Sequence, residues 1–283
     1  MLEPGTPWRI SARVRRLVAP NPGPMTGPGT NTYLLGDEHV VVLDPGPAID
    51  AHVDAILAAG AGRIRTIVCT HTHPDHSPAW RAVARATGAT VIGALPGGDD
   101  HQDETFSPDI ELSDGHLLET PELRLRAVHT PGHVSNHYCF LLEEEGLLFA
   151  GDHIMNGSTV VIIPPGGDMQ AYIASLERLL EEPVRAVAPG HGEVIGDSAA
   201  EIRRLVEHRL GRERKVAAGL AACTPADLGT LVTTVYDDVD PSLHPWARLS
   251  LEAHLIKLER EGRAMRDGEL WHAVPMPEPS AAG

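Results

Sequence analysis

Several strand-like runs in this chain are followed by a turn that delivers a histidine or an aspartate. The run 67–69 leads directly into segment 70–77, which holds three histidines and an aspartate. The runs 123–128, 146–150 and 184–188 each lead to a glycine that precedes such a residue. Short apolar runs of this kind predict buried strands, and in layered α/β proteins functional groups gather where strands end. The pattern therefore predicts a layered α/β protein with a functional site where its strands end.

The segment after the first run is typical of a metal site. His71 and His73 are two residues apart, so their side chains point to the same side of an extended chain. Pro74 then turns the chain and directs Asp75 and His76 to a neighbouring point. Most of the 16 histidines of the chain must be surface or core residues, but this clustering is improbable by chance. Neutral imidazoles with a carboxylate suit zinc or iron, so the segment predicts ligands for two ions.

Two ions close together need further ligands, because this segment leaves both coordination spheres incomplete. The other three strand ends offer them. Between residues 129 and 133 two histidines flank a Pro-Gly turn, and Asp152 and His191 each follow a glycine. The glycines allow the backbone to turn tightly there. Four distant parts of the chain are therefore predicted to meet at one metal centre.

Together these motifs resemble the metallo-β-lactamase superfamily of binuclear metallohydrolases, whose pattern is His-x-His-x-Asp-His, then Gly-His, Gly-Asp and a final Gly-His. All seven positions are present, namely His71, His73, Asp75, His76, His133, Asp152 and His191. The resemblance implies that the histidines at 71, 73 and 133 hold the first metal and residues 75, 76 and 191 the second. Asp152 would bridge the two metals.

Two further histidines and a cysteine lie close to these motifs. The resemblance favours His133 over His129 as a ligand, since the family's ligand follows the Pro-Gly turn. His129 and His137 are expected either to orient ligands or substrate or simply to pack. Cys69, which precedes the first cluster, is expected to face the core.

The resemblance also implies the fold, an αββα sandwich in which two sheets face each other between helices. Residues 1–197 are predicted to form it. Residues 198–274 are predicted to form three helices and a hairpin, which resembles a winged helix. Within this module Thr224 would cap a helix and the hairpin would turn at Asp267-Gly268. Residues 275–283, rich in Pro, Ala and Ser, are predicted to be a flexible tail.

Charge and composition limit the partners that are expected. The net charge of −16 repels polyanions on average and counts against nucleic acid. A winged helix suggests DNA binding, but this module is acidic, so a lid or a homodimer contact is favoured. Three scattered cysteines fit a reducing compartment. Without a signal-like amino terminus or a membrane span, we expect a cytoplasmic protein that has no membrane partner.

The segment Gly-Thr-Asn-Thr-Tyr at 29–33 resembles the β-lactamase-like protein 2 group. That group includes single-strand-specific endoribonucleases, thioesterases that act on carrier-protein substrates, and bacterial hydrolases. The resemblance places Thr30 and Asn31 near the metals, where they either contact substrate or form a turn. Asp152 and the absence of a signal count against a dedicated β-lactamase, with promiscuous β-lactam turnover as an alternative. The apolar loop 156–167 would suit an acyl chain or a ring better than RNA.

We therefore expect a hydrolase with two Zn²⁺ ions, with iron or manganese as alternatives. A water shared by two dications loses a proton near neutral pH, and the hydroxide would attack an ester, thioester or amide of a small-molecule or acyl substrate. Asp75 is the expected catalytic residue, because it could orient that hydroxide or pass a proton to the leaving group. Alternatives are a single-strand endoribonuclease or phosphodiesterase and a mono-iron persulfide dioxygenase.

Overall fold

The computed structural model describes residues 2–97, 99 and 101–275 of the 283-residue chain. Seven strands form the first sheet, in chain order: β1 (Trp8–Arg9), β2 (Val14–Val18), β3 (Asn31–Leu35), β4 (Val40–Leu43), β5 (Ile64–Val68), β6 (Thr90–Gly93) and β7 (Ile110–Glu111). Pairing is antiparallel from β1 to β4 and parallel from β4 to β7. Helices α1 (Asp50–Gly60) and α2 (Trp80–Thr87) provide the crossovers that the parallel pairs β4/β5 and β5/β6 require.

Five strands form the second sheet. They are β8 (Leu117–Glu119), β9 (Arg124–His129), β10 (Tyr138–Leu142), β11 (Leu147–Gly151) and β12 (Ala186–Pro189), in the spatial order β12-β11-β10-β9-β8. Pairing is antiparallel except between β11 and β12. The connection between these two parallel strands contains α3 (Met169–Leu179), whose first turn is capped by Asp168.

These elements form the αββα sandwich that the resemblance implied. The two sheets face each other across an apolar core in which the rings of Tyr33 and Phe149 lie 4.9 Å apart. Alternate residues of β4 face opposite sides, with Val41 and Leu43 in this core and Val42 packed under α1 and α2. Helix α3 covers the outer face of the second sheet. All predicted ligands follow strands, so the sandwich brings them to one edge.

Beyond the sandwich, the described residues up to 275 form a winged-helix module. It contains α4 (Ser198–Ala222), α5 (Leu228–Val235), a short 3-10 turn (Pro241–Leu243), α6 (His244–Arg260) and a hairpin of β13 (Ala264–Asp267) and β14 (Leu270–Ala273). The three helices and the hairpin surround an apolar core of their own, which includes the buried Trp271.

Two details of this module differ from the prediction. Helix α5 is capped by Asp227 rather than Thr224, because residue 226 pairs with Trp271 of the hairpin and keeps the preceding chain extended. The hairpin turns at Gly268 and Glu269, one residue later than predicted, since residue 267 still pairs with residue 270.

Helix α4 belongs to both apolar cores. Its Ile202 and Leu205 pack with the sandwich, whereas Val216 and Leu220 pack inside the module.

The domain boundary at 197/198 stays a prediction, and residues 276–283 of the predicted tail lie outside the described residues. Within the described part of the chain, no helix is long and apolar enough to span a bilayer.

Candidate metal centre

The seven predicted ligands lie together at one edge of the two sheets. The turn after β5 contributes four of them, and the ends of β9, β11 and β12 lead to one each. Their donor atoms form a first trio of His71, His73 and His133 and a second trio of Asp75, His76 and His191. A further group, His71 with His76 and Asp152, overlaps both trios. In each group all donor atoms lie within 4.8 Å of one another.

The first trio consists of three imidazoles. His73 Nδ1 lies 3.0 Å from His71 Nε2 and 3.0 Å from His133 Nε2. The opposite ring nitrogens point away from this centre, since His71 Nδ1 lies 3.0 Å from Thr70 Oγ1 and His133 Nδ1 lies 3.1 Å from the Val161 carbonyl. Three ring nitrogens therefore converge on one point, and the outer hydrogen bonds hold two of the rings in orientation.

The second trio combines two imidazoles with a carboxylate. Asp75 Oδ2 lies 3.4 Å from His76 Nε2 and 3.2 Å from His191 Nε2. Asp75 also accepts a hydrogen bond of 3.3 Å from Thr30 Oγ1. Its side chain is 26% exposed, whereas those of the two histidines are buried. Asp75 is therefore the group of this trio that solvent and substrate can reach.

Asp152 lies between the two trios. Its Oδ1 is 3.2 Å from both His76 Nε2 and His191 Nε2, and its Oδ2 is 3.8 Å from His133 Nε2. The backbone beside it leaves no space for a side chain, because a Cβ on Gly190 would lie 2.7 Å from Asp152 Oδ1. One carboxylate therefore presents a separate oxygen to each trio, which is the arrangement that a bridging ligand needs.

Several donor atoms of this centre are buried without a hydrogen bond. Among the described residues, His76 Nε2, His191 Nε2 and Asp152 Oδ1 have no hydrogen-bond partner. The two nitrogens each lie 3.2 Å from Asp152 Oδ1 but without hydrogen-bond geometry, because all three atoms point towards a common centre. Such buried polar atoms are costly unless something satisfies them. Imidazole nitrogens and carboxylate oxygens suit zinc or iron, so the residues fit metal ions.

The two trios differ in their proton affinity. Burial lowers the pKa of His73 to about 4 and lowers the pKa values of His71 and His133 as well. Burial also acts against protonation of His76 and His191, but nearby carboxylates outweigh it. They raise the pKa of His191 to about 9 and that of His76 well above its usual value. Without ions, the first trio is therefore neutral, and protons on the second offset the buried carboxylates.

Asp44 is part of this centre, although the sequence analysis did not identify it. It follows β4, has a φ of 50° and is fully buried. Its Oδ1 accepts a hydrogen bond from Thr70 N, and its Oδ2 accepts from Thr70 Oγ1 and lies 2.9 Å from His76 Nδ1. Asp44 therefore orients the His76 ring from behind and leaves Nε2 facing Asp152. The available signal was its position, an aspartate followed by Pro-Gly at the end of an apolar strand.

We expect Asp44→Asn to weaken metal binding at the second trio by roughly 10- to 100-fold, the usual effect of losing a partner behind a ligand. The amide removes the charge that supports His76 and places a donor against Thr70 or His76. Metal titration followed by equilibrium dialysis measures the loss. The first trio serves as an internal control that should weaken less, because its imidazoles do not contact Asp44 directly and His71 is linked to it through Thr70 Oγ1. Equal weakening of both sites would contradict this role.

The structure buries Thr30 and Asn31 completely. Asn31 Nδ2 donates to the carbonyls of Pro189 and Gly192, which flank the turn that carries His191. Thr30 Oγ1 donates to Asp75 and accepts from an asparagine side chain in the preceding loop. These contacts make both residues positioning groups for ligands, and their substrate contact stays a prediction.

The other residues singled out near the cluster have distinct environments. His137 is fully buried, with its ring 5.1 Å from that of His71 and its Nδ1 2.9 Å from Thr130 Oγ1. His129 instead packs on a tyrosine ring at the sheet surface. Cys69 faces the core, as expected.

The apolar loop 156–167 does not form the open wall that the sequence suggested. Val160 and Ile162 are buried in the core beneath α3 and α4, whereas Val161 and Ile163 remain partly exposed. The loop was expected to suit an acyl chain, but the side chains of Val160 and Ile162 pack against these helices and are not available to a substrate. It therefore gives little support to that substrate.

Two family models match this chain. The model described as "Metallo-beta-lactamase superfamily" matches residues 25–191, and the model described as "Beta-lactamase associated winged helix domain" matches residues 228–271. The first match contains all seven predicted ligands, and the second lies within the predicted module. Both the resemblance and the fold predicted from the sequence are thereby confirmed.

Individual relatives extend this likeness over most of the chain. A "Beta-lactamase-like protein 2 homolog" of Drosophila melanogaster is 30% identical over 277 residues, covering 90% of each protein. An "Atrochrysone carboxyl ACP thioesterase" of Aspergillus chevalieri is 32% identical over 241 residues, covering 83% of this chain and 74% of that one. A metallo-beta-lactamase family protein of Thermus thermophilus has a similar structure, with a TM-score of 0.78 at 23% identity, covering 94% of this chain and 100% of that one.

Proposed function

The chain belongs to the metallo-β-lactamase superfamily, and from this membership we propose that it is a binuclear zinc-dependent hydrolase acting on an acyl ester, thioester or amide. Its superfamily homologues, including the named thioesterase, are hydrolases. The substrate class and the two zinc ions are the new elements of the proposal.

The observation that carries the proposal is the position of Asp152. It offers Oδ1 to the trio of Asp75, His76 and His191, and Oδ2 to the trio of His71, His73 and His133. A single metal ion would use only one of these sets. Two ions would use every ligand: one trio would hold each ion, and Asp152 offers an oxygen to both trios. Zinc suits these nitrogen and oxygen donors, and iron and manganese are the alternatives.

When bound, such ions lower the pKa of a coordinated water to about 7 and polarise the oxygen of the electrophile. The protein's own groups prepare the rest of the site. His76 and His133 are held by Asp44 and by a backbone carbonyl, so the ligands are in place before substrate enters. This preorganisation avoids the cost of reorganising them during the reaction.

Asp75 is the proposed catalytic residue. Although burial raises its pKa, the neighbouring His76 and His191 lower it to about 2, so the carboxylate is ionised at neutral pH. This carboxylate can therefore accept a hydrogen bond from the attacking water and then carry a proton towards the leaving group. The partial exposure of this side chain gives substrate access to it.

An acyl thioester is the favoured substrate within this class. One relative is named as a thioesterase for an acyl carrier protein substrate, and the net charge of −16 acts against a polyanion such as RNA. The homodimer and the cytoplasmic location stay predictions from the sequence.

The proposal is tested on purified protein whose metal content is measured by mass spectrometry. The panel comprises an acyl thioester, a single-stranded RNA, a phosphodiester and a chromogenic cephalosporin. We expect two zinc equivalents and the highest kcat/KM with the thioester. One iron per chain would support the persulfide dioxygenase instead, and preferential cleavage of RNA would identify an endoribonuclease.

We expect Asp75→Ala to lower kcat for the best substrate by roughly 10²- to 10⁴-fold, the contribution typical of a general acid or base. The control is Asp54→Ala, which removes an exposed carboxylate from α1. Metal content is measured for both variants, so that a lost proton carrier is separated from a lost ligand. Full activity of Asp75→Ala on every member of the panel would contradict the proposed role.

A further inference from the structure

We infer that the winged-helix module positions His133, the proposed ligand of the first metal, and that Arg209 of α4 is the residue through which it acts. This inference rests on the proposed function, because it takes His133 as a metal ligand. It gives the module a role inside the metal centre in addition to any contact it makes with a substrate or partner.

The first link runs from Arg209 to the loop beside His133. Arg209 is 3% exposed, its guanidinium lies 5.1 Å from the centre of the Tyr172 ring, and its Nη2 donates to the Val160 carbonyl. The next carbonyl in the chain, that of Val161, lies 3.1 Å from His133 Nδ1. A carbonyl only accepts, so this contact requires a proton on Nδ1. Arg209 thus holds the peptide segment that fixes the tautomer of His133.

The tautomer decides whether His133 can bind a metal. With the proton on Nδ1, the lone pair of Nε2 is free, and this atom faces His73 Nδ1 at 3.0 Å and Asp152 Oδ2 at 3.8 Å. If the Val161 carbonyl moved away, the ring could rotate or carry its proton on the other nitrogen. Partners of this kind behind a histidine ligand raise its basicity and fix its direction.

A second link reaches the other side of His133. Arg260 of α6 forms an ion pair with Asp168, whose backbone N donates to the Gly132 carbonyl at 2.8 Å. Gly132 has a φ of 149°, and a Cβ there would lie 2.4 Å from the Cα of Tyr172. The residue before His133 is therefore packed directly on α3, and α6 anchors the start of that helix. Two arginines of the module thus act on the two segments that hold His133.

Lysine cannot replace Arg209 in this arrangement. The planar guanidinium can stack on an aromatic ring and donate to a carbonyl at the same time, whereas an ammonium is a strongly hydrated point charge. Arg209→Lys keeps the charge and removes this geometry. Its effect on metal binding therefore reports on position and not on net charge.

The chain offers a matched control in Arg212, three residues further along α4. Its guanidinium lies 4.2 Å from the centre of the Tyr236 ring, and its Nη1 donates to the Val235 carbonyl at 2.8 Å. Both contacts lie within the module. Arg212→Lys removes the same kind of stacked, carbonyl-bonded guanidinium without touching the loop beside His133.

The test measures Co²⁺ affinity by absorption spectroscopy and equilibrium dialysis in two backgrounds. Of the first and second trios, His191→Ala leaves the first complete and His133→Ala leaves the second complete, while the overlapping group of His71, His76 and Asp152 is the same in both backgrounds. We expect Arg209→Lys to weaken Co²⁺ binding roughly 10- to 100-fold in the His191→Ala background. It should leave the affinity in the His133→Ala background unchanged, and Arg212→Lys should change neither. Activity is not needed for this measurement.

Folding is checked by circular dichroism and thermal unfolding of each variant without metal. If Arg209→Lys does not fold, the decision passes to Arg260→Gln, whose side chain is 53% exposed and paired with Asp168. A selective loss at the first trio in either variant supports the inference. Unchanged first-trio affinity in every variant that folds, or equal losses at both trios, would overturn it. If the wild-type protein bound no Co²⁺, the proposed function itself would fail.

Discussion

We expect Asp152→Asn to reduce kcat/KM for the preferred substrate by about 10³-fold or more, because metal ions contribute several kcal/mol of transition-state stabilisation and each 1.36 kcal/mol is tenfold in rate. The amide is isosteric with the carboxylate but neutral. One end of it is an NH2 group, which cannot bind a cation. Whichever way the amide turns, one of the two trios loses the Asp152 oxygen that faces it.

The same substitution should change the metal stoichiometry. We expect mass spectrometry to find fewer than two equivalents in Asp152→Asn and two in the wild type. Asp114→Asn is the control, since Asp114 binds Arg178 at the surface and belongs to none of the ligand groups. A variant at 152 that kept two metals and its full rate would show that the carboxylate does not bridge.

Removal of the metals should abolish turnover. After dialysis against a chelator, we expect the rate to fall to the uncatalysed background and to return when Zn²⁺ is added, because the proposed nucleophile is a water that the metals would activate and not a side chain. Thermal stability should fall as well, since a ligand at about 100 times its Kd stabilises the folded state by about 2.7 kcal/mol. Calorimetry of the two forms measures this difference.

Restoration experiments then identify the metal. Zn²⁺, Fe²⁺ and Mn²⁺ are added back separately, and the rate is compared at equal metal occupancy. Activity that persisted after chelation, with metal absent by mass spectrometry, would contradict the metal-dependent mechanism. If Fe²⁺ alone restored activity, the proposed ligands would stand, but the bound ions would be iron and not zinc.

The sandwich and the meeting of the seven ligand residues could be predicted because both depend on short patterns. Strand ends carry histidine or aspartate after a tight turn, and parallel or facing strands bring such ends to one edge. The module was also recognisable from three helices and a hairpin. In each case the signal lies within about a dozen neighbouring residues, where periodicity and turn residues are informative.

Contacts between distant segments could not be predicted in the same way. Asp44 acts on His76 across 32 positions of sequence, and Arg209 reaches Val160 across 49. The apolar loop that contains Val160 and Ile162 was predicted to form a wall for substrate, but α3 and α4 cover these two side chains. The start of α5 was misplaced because pairing with the hairpin keeps the chain extended at residue 226. Each of these depends on tertiary packing that overrides a local preference.

Helix α4 has a consequence for engineering this protein. Because the helix contributes side chains to both apolar cores, a truncation that removed it would expose the part of the core beside α3 that Ile202 and Leu205 cover, and a transplanted module without it would lack one wall. The two halves are therefore not interchangeable cassettes. They should melt in a single cooperative transition, and useful chimaeras would have to exchange the helix together with both surfaces that it covers.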